Sequence, residues 1–174
     1  MSAPSGDTAS ASVYVAVSPE DAFDVFTREI DLWWKQGPKF RIAGKKPGRL
    51  HFEPALGGGV FETVVLSAKD ASPSERTFHV GTVTAFDPPR SLSLEWRLSN
   101  FAPDEKTFVE ITFAPMGVGT LVSVRHSGWS KLRAGHPARH GLEGAAFARM
   151  IGMWWGELMT ALREHVATRV LPVR

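Results

Sequence analysis

The chain has 174 residues, no cysteine and a formal charge of +2, with lysines and arginines scattered rather than clustered. Disulfides and thiol catalysis are excluded, and a nucleic-acid interface has no basic patch to rest on. A domain of this length buries roughly 70% of its unfolded surface without a staple or a structural metal, so the six tryptophans and eleven phenylalanines need a place inside it.

The N-terminal "MSAPSGDTASAS" is small and polar, and residues 1–11 read as a disordered tail. It lacks the apolar core of a signal peptide, and no apolar run approaches the roughly 20 residues of a membrane span. A soluble cytoplasmic protein with no membrane partner is expected. "SVYVAV" (12–17) alternates and predicts a strand. Ser18 and Pro19 then open a helix with Asp21 at its third position. Ala22, Phe23, Phe26 and Ile30 form the buried stripe of that helix, which leads to Trp33-Trp34. "KQGPKFRIAGKKPG" is a loop. Strands are predicted at 48–54, 59–67, 76–86, 91–99, 106–114 and 119–127, separated by turns rich in Gly, Pro and Asp. "SKLRAGHPARHG" ends this antiparallel meander. A long helix over about 142–167 places Phe147, Ile151, Trp154, Leu158 and Leu162 on one stripe. One domain at 12–167 and a short tail at 168–174 complete the expectation.

Strands in a run with helices segregated from them define an α+β fold, and one helix covers seven strands only if the sheet curves around it. Alternation sets Leu92, Leu94 and Trp96, then Val109, Ile111 and Phe113, then Val122, Val124 and His126, toward the helix. Glu95, Arg97, Glu110 and Arg125 fall on the wet face. His126 is the polar exception on the apolar face, and it either meets a backbone group near a rim or makes a polar contact in a pocket. Trp129 lies just beyond it, where it could close the pocket mouth.

"FEPALGGGVFET" places an aromatic–acid pair on either side of three glycines. With Leu56-Gly57 as a two-residue turn, Phe52 faces Phe61, and His51, Glu53 and Glu62 share one face. The glycines then supply a sharp corner. That face lies either in solvent or in the cavity, and a shift of one residue reverses one strand. No phosphate or dinucleotide motif occurs, neither GxxxxGK[ST] nor GxGxxG, and no cofactor is expected.

Four segments, "SVYVAVSPEDAFDVFT", "FEPALGGGVFE", "GTVTAFDPPRSLSLEW" and "VEITFAPMGVGTLVSVRHSGW", resemble in sequence and order the bacterial proteins similar to the activator of Hsp90 ATPase. The resemblance spans roughly residues 12–166. It implies the START-like (SRPBCC) superfamily and its Bet v 1 helix-grip fold: a strongly curved seven-stranded antiparallel sheet wrapped around a long C-terminal helix, with an internal cavity between them. It also implies relatives as diverse as lipid and hormone carriers, polyketide cyclases, ring-hydroxylase subunits and co-chaperones. The subgroup's "EP…GG…E" pattern matches Glu53, Pro54, Gly57, Gly58 and Glu62. The "FHVG" segment departs from the subgroup by placing His79 two residues before Gly81.

His136 and His140 have metal-like spacing but sit among Pro and Gly with no third ligand, so no metal site is expected. Glu53 and Glu62 are weak candidates for a catalytic acid–base pair. The leading expectation is a noncatalytic protein that binds a small apolar or aromatic molecule through Trp33, Phe61, His79, Trp96, Phe113, His126, Trp129, Trp154 and Leu158. The alternatives are a cavity enzyme with a glutamate base and an Hsp90-associated role. Trp155, Met159 and Val166 widen the helix's apolar arc, which either buries against a loop or supports a homodimer.

Overall fold

Alternating apolar residues give seven strands whose inner faces all need cover, and a computed structural model shows how they obtain it. It describes residues 7–66, 72, 74–97, 101–133 and 135–169. The strands are β1 (Ala9–Val15), β2 (Gly48–Phe52), β3 (Gly59–Leu66), β4 (Ser74–Asp87), β5 (Ser91–Trp96), β6 (Thr107–Met116) and β7 (Gly119–Ser127). They form one antiparallel sheet in the order β1-β7-β6-β5-β4-β3-β2. Between β1 and β2 the chain forms helices α1 (Pro19–Arg28) and α2 (Ile30–Trp33). After β7, two short 3-10 helices, Trp129–Lys131 and Pro137–Arg139, lead into α3 (Gly144–Arg169). This is the α+β helix-grip architecture, with the sheet curled around the long C-terminal helix.

The strand β1 begins at Ala9, three residues before alternation predicts. Ser and Ala carry little strand propensity, and it is pairing with β7, from Ala9 opposite His126 onward, that extends the strand. The expected N-terminal tail is shortened accordingly. Residues 1–6 and 170–174 of the two expected tails lie outside the described residues, as does most of the expected turn at 69–75. The α1 start follows its chemistry, with the Ser18 hydroxyl accepting the Asp21 N–H at 3.2 Å. Bulges in the β3–β4 and β4–β5 ladders add local twist where the sheet curls.

The inner faces of β5, β6 and β7 match their alternation. Leu92, Leu94, Val109, Ile111, Phe113, Val122 and Val124 are buried in the core, and Glu110 and Arg125 are exposed on the outer face; Arg97, expected on the wet face, follows the end of β5 and is half-buried with its Nε enclosed. On α3 the buried stripe runs Phe147, Ile151, Trp155, Leu158, Met159, Leu162 and Val166. The expected assignment of the tandem tryptophans is therefore reversed: Trp155 is 1% exposed, whereas Trp154 is half-buried at the stripe's edge. The indole of Trp155 has found a polar partner in the sheet. Its Nε1–H donates to His126 Nδ1 at 3.1 Å. That bond leaves the imidazole proton on Nε2, which donates to Thr107 Oγ1 at 2.7 Å, and the Thr107 hydroxyl passes on to the Trp96 carbonyl.

Full burial pushes the His126 imidazole down to about 3. The unfolded chain binds this proton below about pH 6.5, and the native state refuses it until about pH 3. The stability contribution is complete above pH 6.5 and declines as pH falls, by about 1.4 kcal/mol per pH unit. His126→Gln can still accept from Trp155 and donate to Thr107 but does not titrate. Urea unfolding between pH 6.5 and 4 should therefore show a shallower loss of stability in His126→Gln than in the parent. The carboxylates contribute equally to both proteins, and parallel slopes would contradict the buried neutral imidazole.

Candidate functional site

Between sheet and helix a cleft of about 210 Å³ opens to solvent at the β2–β3 end of the grip. Its walls are Trp34, Phe40, Trp96 and Trp154, and Leu50, Val80 and Glu62 lie deeper on the sheet side. A second depression, of about 320 Å³, lies on the outer sheet face around Ser93, Phe108, Glu110 and Arg125.

The segment 34–47 forms the outer lip of the cleft, and each of its polar anchors has a cause. Arg41 is 5% exposed. Its guanidinium bonds Asp31 Oδ1 at 2.7 Å and donates to the carbonyls of Asp31, Trp34 and Lys35. At Asp31, partial burial raises the affinity for a proton. The Arg41 hydrogen bond and charge and the Leu50 N–H outweigh it and hold the carboxyl below its ordinary value. At the next two residues, the Glu62 carboxylate accepts the N–H groups of Ile42 and Ala43, both at 2.8 Å. The tip of the segment rests on α3. Trp154 Nε1–H donates to the Lys39 carbonyl at 2.9 Å, the Phe40 and Trp154 rings stack at 5.8 Å, and Lys39 Nζ meets Glu157 at 2.7 Å.

Trp34 is the hub of the aromatic wall. Its ring lies 5.3 Å from Trp33, 6.1 Å from Trp96, 5.8 Å from Trp154 and 5.7 Å from Trp155. Its indole N–H is taken by the Phe40 carbonyl at 3.0 Å. Trp34 and Phe40 were not among the expected contacts. The tandem Trp33-Trp34 at the end of α2 was the signal for the first; Phe40 sits in a Lys- and Gly-rich loop that gives no periodicity to read.

The β2–β3 register corrects the expected hairpin. Phe52 pairs with Val60, His51 with Phe61 and Leu50 with Glu62. The connection is a longer loop, 53–58, and not a two-residue turn. The glycines serve it as a corner: Gly57 has φ of +80°, and a Cβ on Gly58 would lie 2.2 Å from the Glu53 carbonyl. The one-residue difference exchanges the faces of β3. Glu62 turns inward and Phe61 outward, where Phe61 stacks on His51 at 4.8 Å and touches His79 at 5.4 Å. Phe61 and the exposed His79 therefore lie on the outer face, away from the cleft. Glu53 is exposed and its carboxylate accepts the Gly59 N–H at 3.0 Å, whereas Glu62 is buried against Ile42 and Ala43, so the two glutamates do not form a pair. Of the other expected contacts, Trp96 and Trp154 line the cleft. Trp33, Phe113, Trp129 and Leu158 are packed in the core, and His126 is buried beneath Trp155. Among the described residues, no group of three His, Asp or Glu side chains could hold a metal ion.

A curved antiparallel sheet closed by a C-terminal helix, with a tryptophan-walled cleft at one end, is a helix-grip protein. The sequence model of the family described as activator of Hsp90 ATPase homolog 1-like protein matches residues 16–164, and the chain belongs to that family. Solved structures share the fold at low identity. A protein from Mesorhizobium loti is 20% identical with a TM-score of 0.61, covering 95% of this chain and 99% of its own. An HSP90 activator from Plasmodium falciparum is 13% identical with a TM-score of 0.59, covering 92% and 96%. The Aha1 dimer from Colwellia psychrerythraea is 13% identical with a TM-score of 0.56, covering 91% and 95%. No curated protein sequence matched.

The placement of the two glutamates makes opposite demands on substitution. Glu62→Gln leaves one backbone N–H facing an amide NH₂, and it should cost about 1–3 kcal/mol in urea unfolding. Glu53→Gln keeps an acceptor at an exposed site and should stay within about 0.5 kcal/mol of the parent. Equal effects would contradict this assignment.

Proposed function

We propose that the protein is a soluble, cytoplasmic small-molecule binder that takes a compact, flat, aromatic or apolar ligand in the cleft between segment 34–47, the sheet and α3. The observation that carries this reading is the division of labour in the cleft wall. Trp34, Trp96, Trp154 and Phe40 line the cleft, while its charged members are already engaged by the protein. Arg41 is spent on Asp31 and three carbonyls, and both oxygens of Glu62 hold backbone N–H groups. Aromatic surface therefore supplies the recognition, through stacking and apolar burial. At about 210 Å³ the cleft lies below the roughly 300–1,000 Å³ usual for drug-sized ligands, which favours one or two fused rings over a lipid chain.

A Glu62 general base would have to weaken its bond to Ile42 or Ala43 at the oxygen that took the proton, and this weighs against the catalytic alternative. The fold neighbour named as an HSP90 activator keeps a chaperone-associated role open to a pull-down with Hsp90. The dimeric neighbour from Colwellia psychrerythraea makes self-association worth measuring by sedimentation.

Isothermal titration of a panel of monocyclic and bicyclic aromatics against one of aliphatic carboxylates and fatty acids tests the reading. At least one aromatic should bind saturably. Trp154→Ala should weaken it about tenfold, equivalent to about 1.4 kcal/mol, because Trp154 is a wall of the cleft. No saturable aromatic, or an affinity unchanged in Trp154→Ala, would overturn it.

A further inference from the structure

A second set of side chains, which shares no residue with the cleft, carries an unmet demand. Among the described residues, four buried side-chain nitrogens lack a hydrogen-bond partner: Arg97 Nε, Trp129 Nε1, His136 Nε2 and Arg139 Nε. They belong to one connected neighbourhood formed by the residues after β5 and the two 3-10 helices. Arg97 Nη2 donates to the Ala102 carbonyl at 2.8 Å, and the Ala102 N–H donates to Glu105 Oε1 at 2.8 Å. The same Glu105 oxygen accepts from Arg133 at 2.9 Å and stands 3.5 Å from His136 Nε2. The Phe101 ring touches both His136, at 4.9 Å, and Trp129, at 6.4 Å. Arg139 Nη2 closes the group by donating to the Trp129 and Leu132 carbonyls.

All four unpaired atoms are donors. Arg Nε and the indole nitrogen can only donate. His136 Nδ1 accepts the Ala138 N–H at 3.0 Å, so the neutral ring carries its proton on Nε2. His136, Trp129 and Arg139 are 1%, 3% and 8% exposed, too buried for bulk water to satisfy them. Each buried donor left unpaired costs about 1–3 kcal/mol, and native structures leave few of them. The charge leans the same way. Three guanidinium groups, Arg97, Arg133 and Arg139, belong to the neighbourhood, against two carboxylates: Glu105, which bonds Arg133, and Asp7, which accepts from Ser130 on the first 3-10 helix. The hydrogen bond from Ala102 and the charge of Arg133 hold Glu105 below its ordinary value, so it is ionised and itself satisfied. A bridging water offers two acceptor sites and needs acceptors for its own two protons. A group that only accepts, and is negative, answers four donors and an excess of positive charge.

We propose that this neighbourhood is a binding site for a compact oxyanion, a carboxylate, phosphate or sulfate group, that accepts from Trp129, His136, Arg139 and Arg97. The Arg133 side chain, 56% exposed beside the buried Glu105, marks its solvent edge. Glu105 keeps its Ala102 and Arg133 bonds, and its repulsion is outweighed by the surrounding cations.

Nitrogen-15 NMR reads the donors directly. Inorganic phosphate, sulfate and acetate are titrated in turn into the labelled full chain, with sodium chloride at matched ionic strength as control. The indole N–H of Trp129 and the Nε–H signals of Arg97 and Arg139 should shift saturably with one shared dissociation constant for at least one oxyanion, and not with chloride. Phosphate or sulfate acting alone defines a tetrahedral site, and acetate acting alone a carboxylate site. Trp129→Phe keeps the ring and removes one donor, so it should weaken binding about three- to tenfold. Should that variant fail to fold, Arg97→Lys keeps the charge, drops the Nε donor and should weaken binding by a similar factor. Signals that stay fixed, shifts reproduced by chloride, or an affinity unchanged in the folded variant would each overturn the site. None of these outcomes bears on the aromatic cleft.

Discussion

The hydrogen bond from the Trp155 indole to His126 sets the rotation of α3 against the sheet. A helix dropped into a curved sheet by apolar contact alone could turn by tens of degrees at little cost, because burial has no direction. The Trp155 N–H has direction. It reaches an acceptor on the inner face of β7, and Thr107 holds that imidazole from the other side. With Trp155 pinned, its neighbour Trp154 lies about 100° around the helix. There it meets Lys39 and Phe40, so the lip of the cleft inherits its position from a bond buried beneath it.

Much of this architecture is legible in the residues. The alternation of β5, β6 and β7 assigns inner and outer faces correctly because each strand is covered on one side only. Legibility fails where two solutions differ by a single step. "ALGGG" accommodates a tight turn or a longer corner, and the choice moves Phe61 and Glu62 to opposite sides of the sheet. Trp154 and Trp155 both border the apolar stripe, and a polar partner on another element, invisible to periodicity, decides between them. The cleft is the least legible part. Its lip is a Gly-, Lys- and Pro-rich segment whose conformation is dictated by side chains outside it, Asp31 just before it and Glu62 on β3.

Glu62 illustrates how a buried acid can be structural and still shape a site. Two backbone N–H groups of segment 34–47 point toward the sheet, and the carboxylate spans both, as a side chain with one acceptor could not. Burial of the charge is tolerated because its lone pairs are used. The cleft consequently presents rings and few free polar atoms. Specificity in such a site rests on shape and on the planes of the indoles, and small ring substitutions elsewhere on the wall would redirect it.

All six tryptophans belong to one continuous network. Five touch through Trp34 and Trp155, and Trp129 joins through the His126 ring, 4.5 Å from its own. Indoles this close exchange excitation before they emit, so the intrinsic emission of the molecule belongs to the ensemble and not to any single residue. An event at Trp154 on the rim drains light absorbed at Trp33 or Trp96 in the interior. The optical signal of this protein is therefore a sensitive reporter of whether something has arrived, and a poor guide to where.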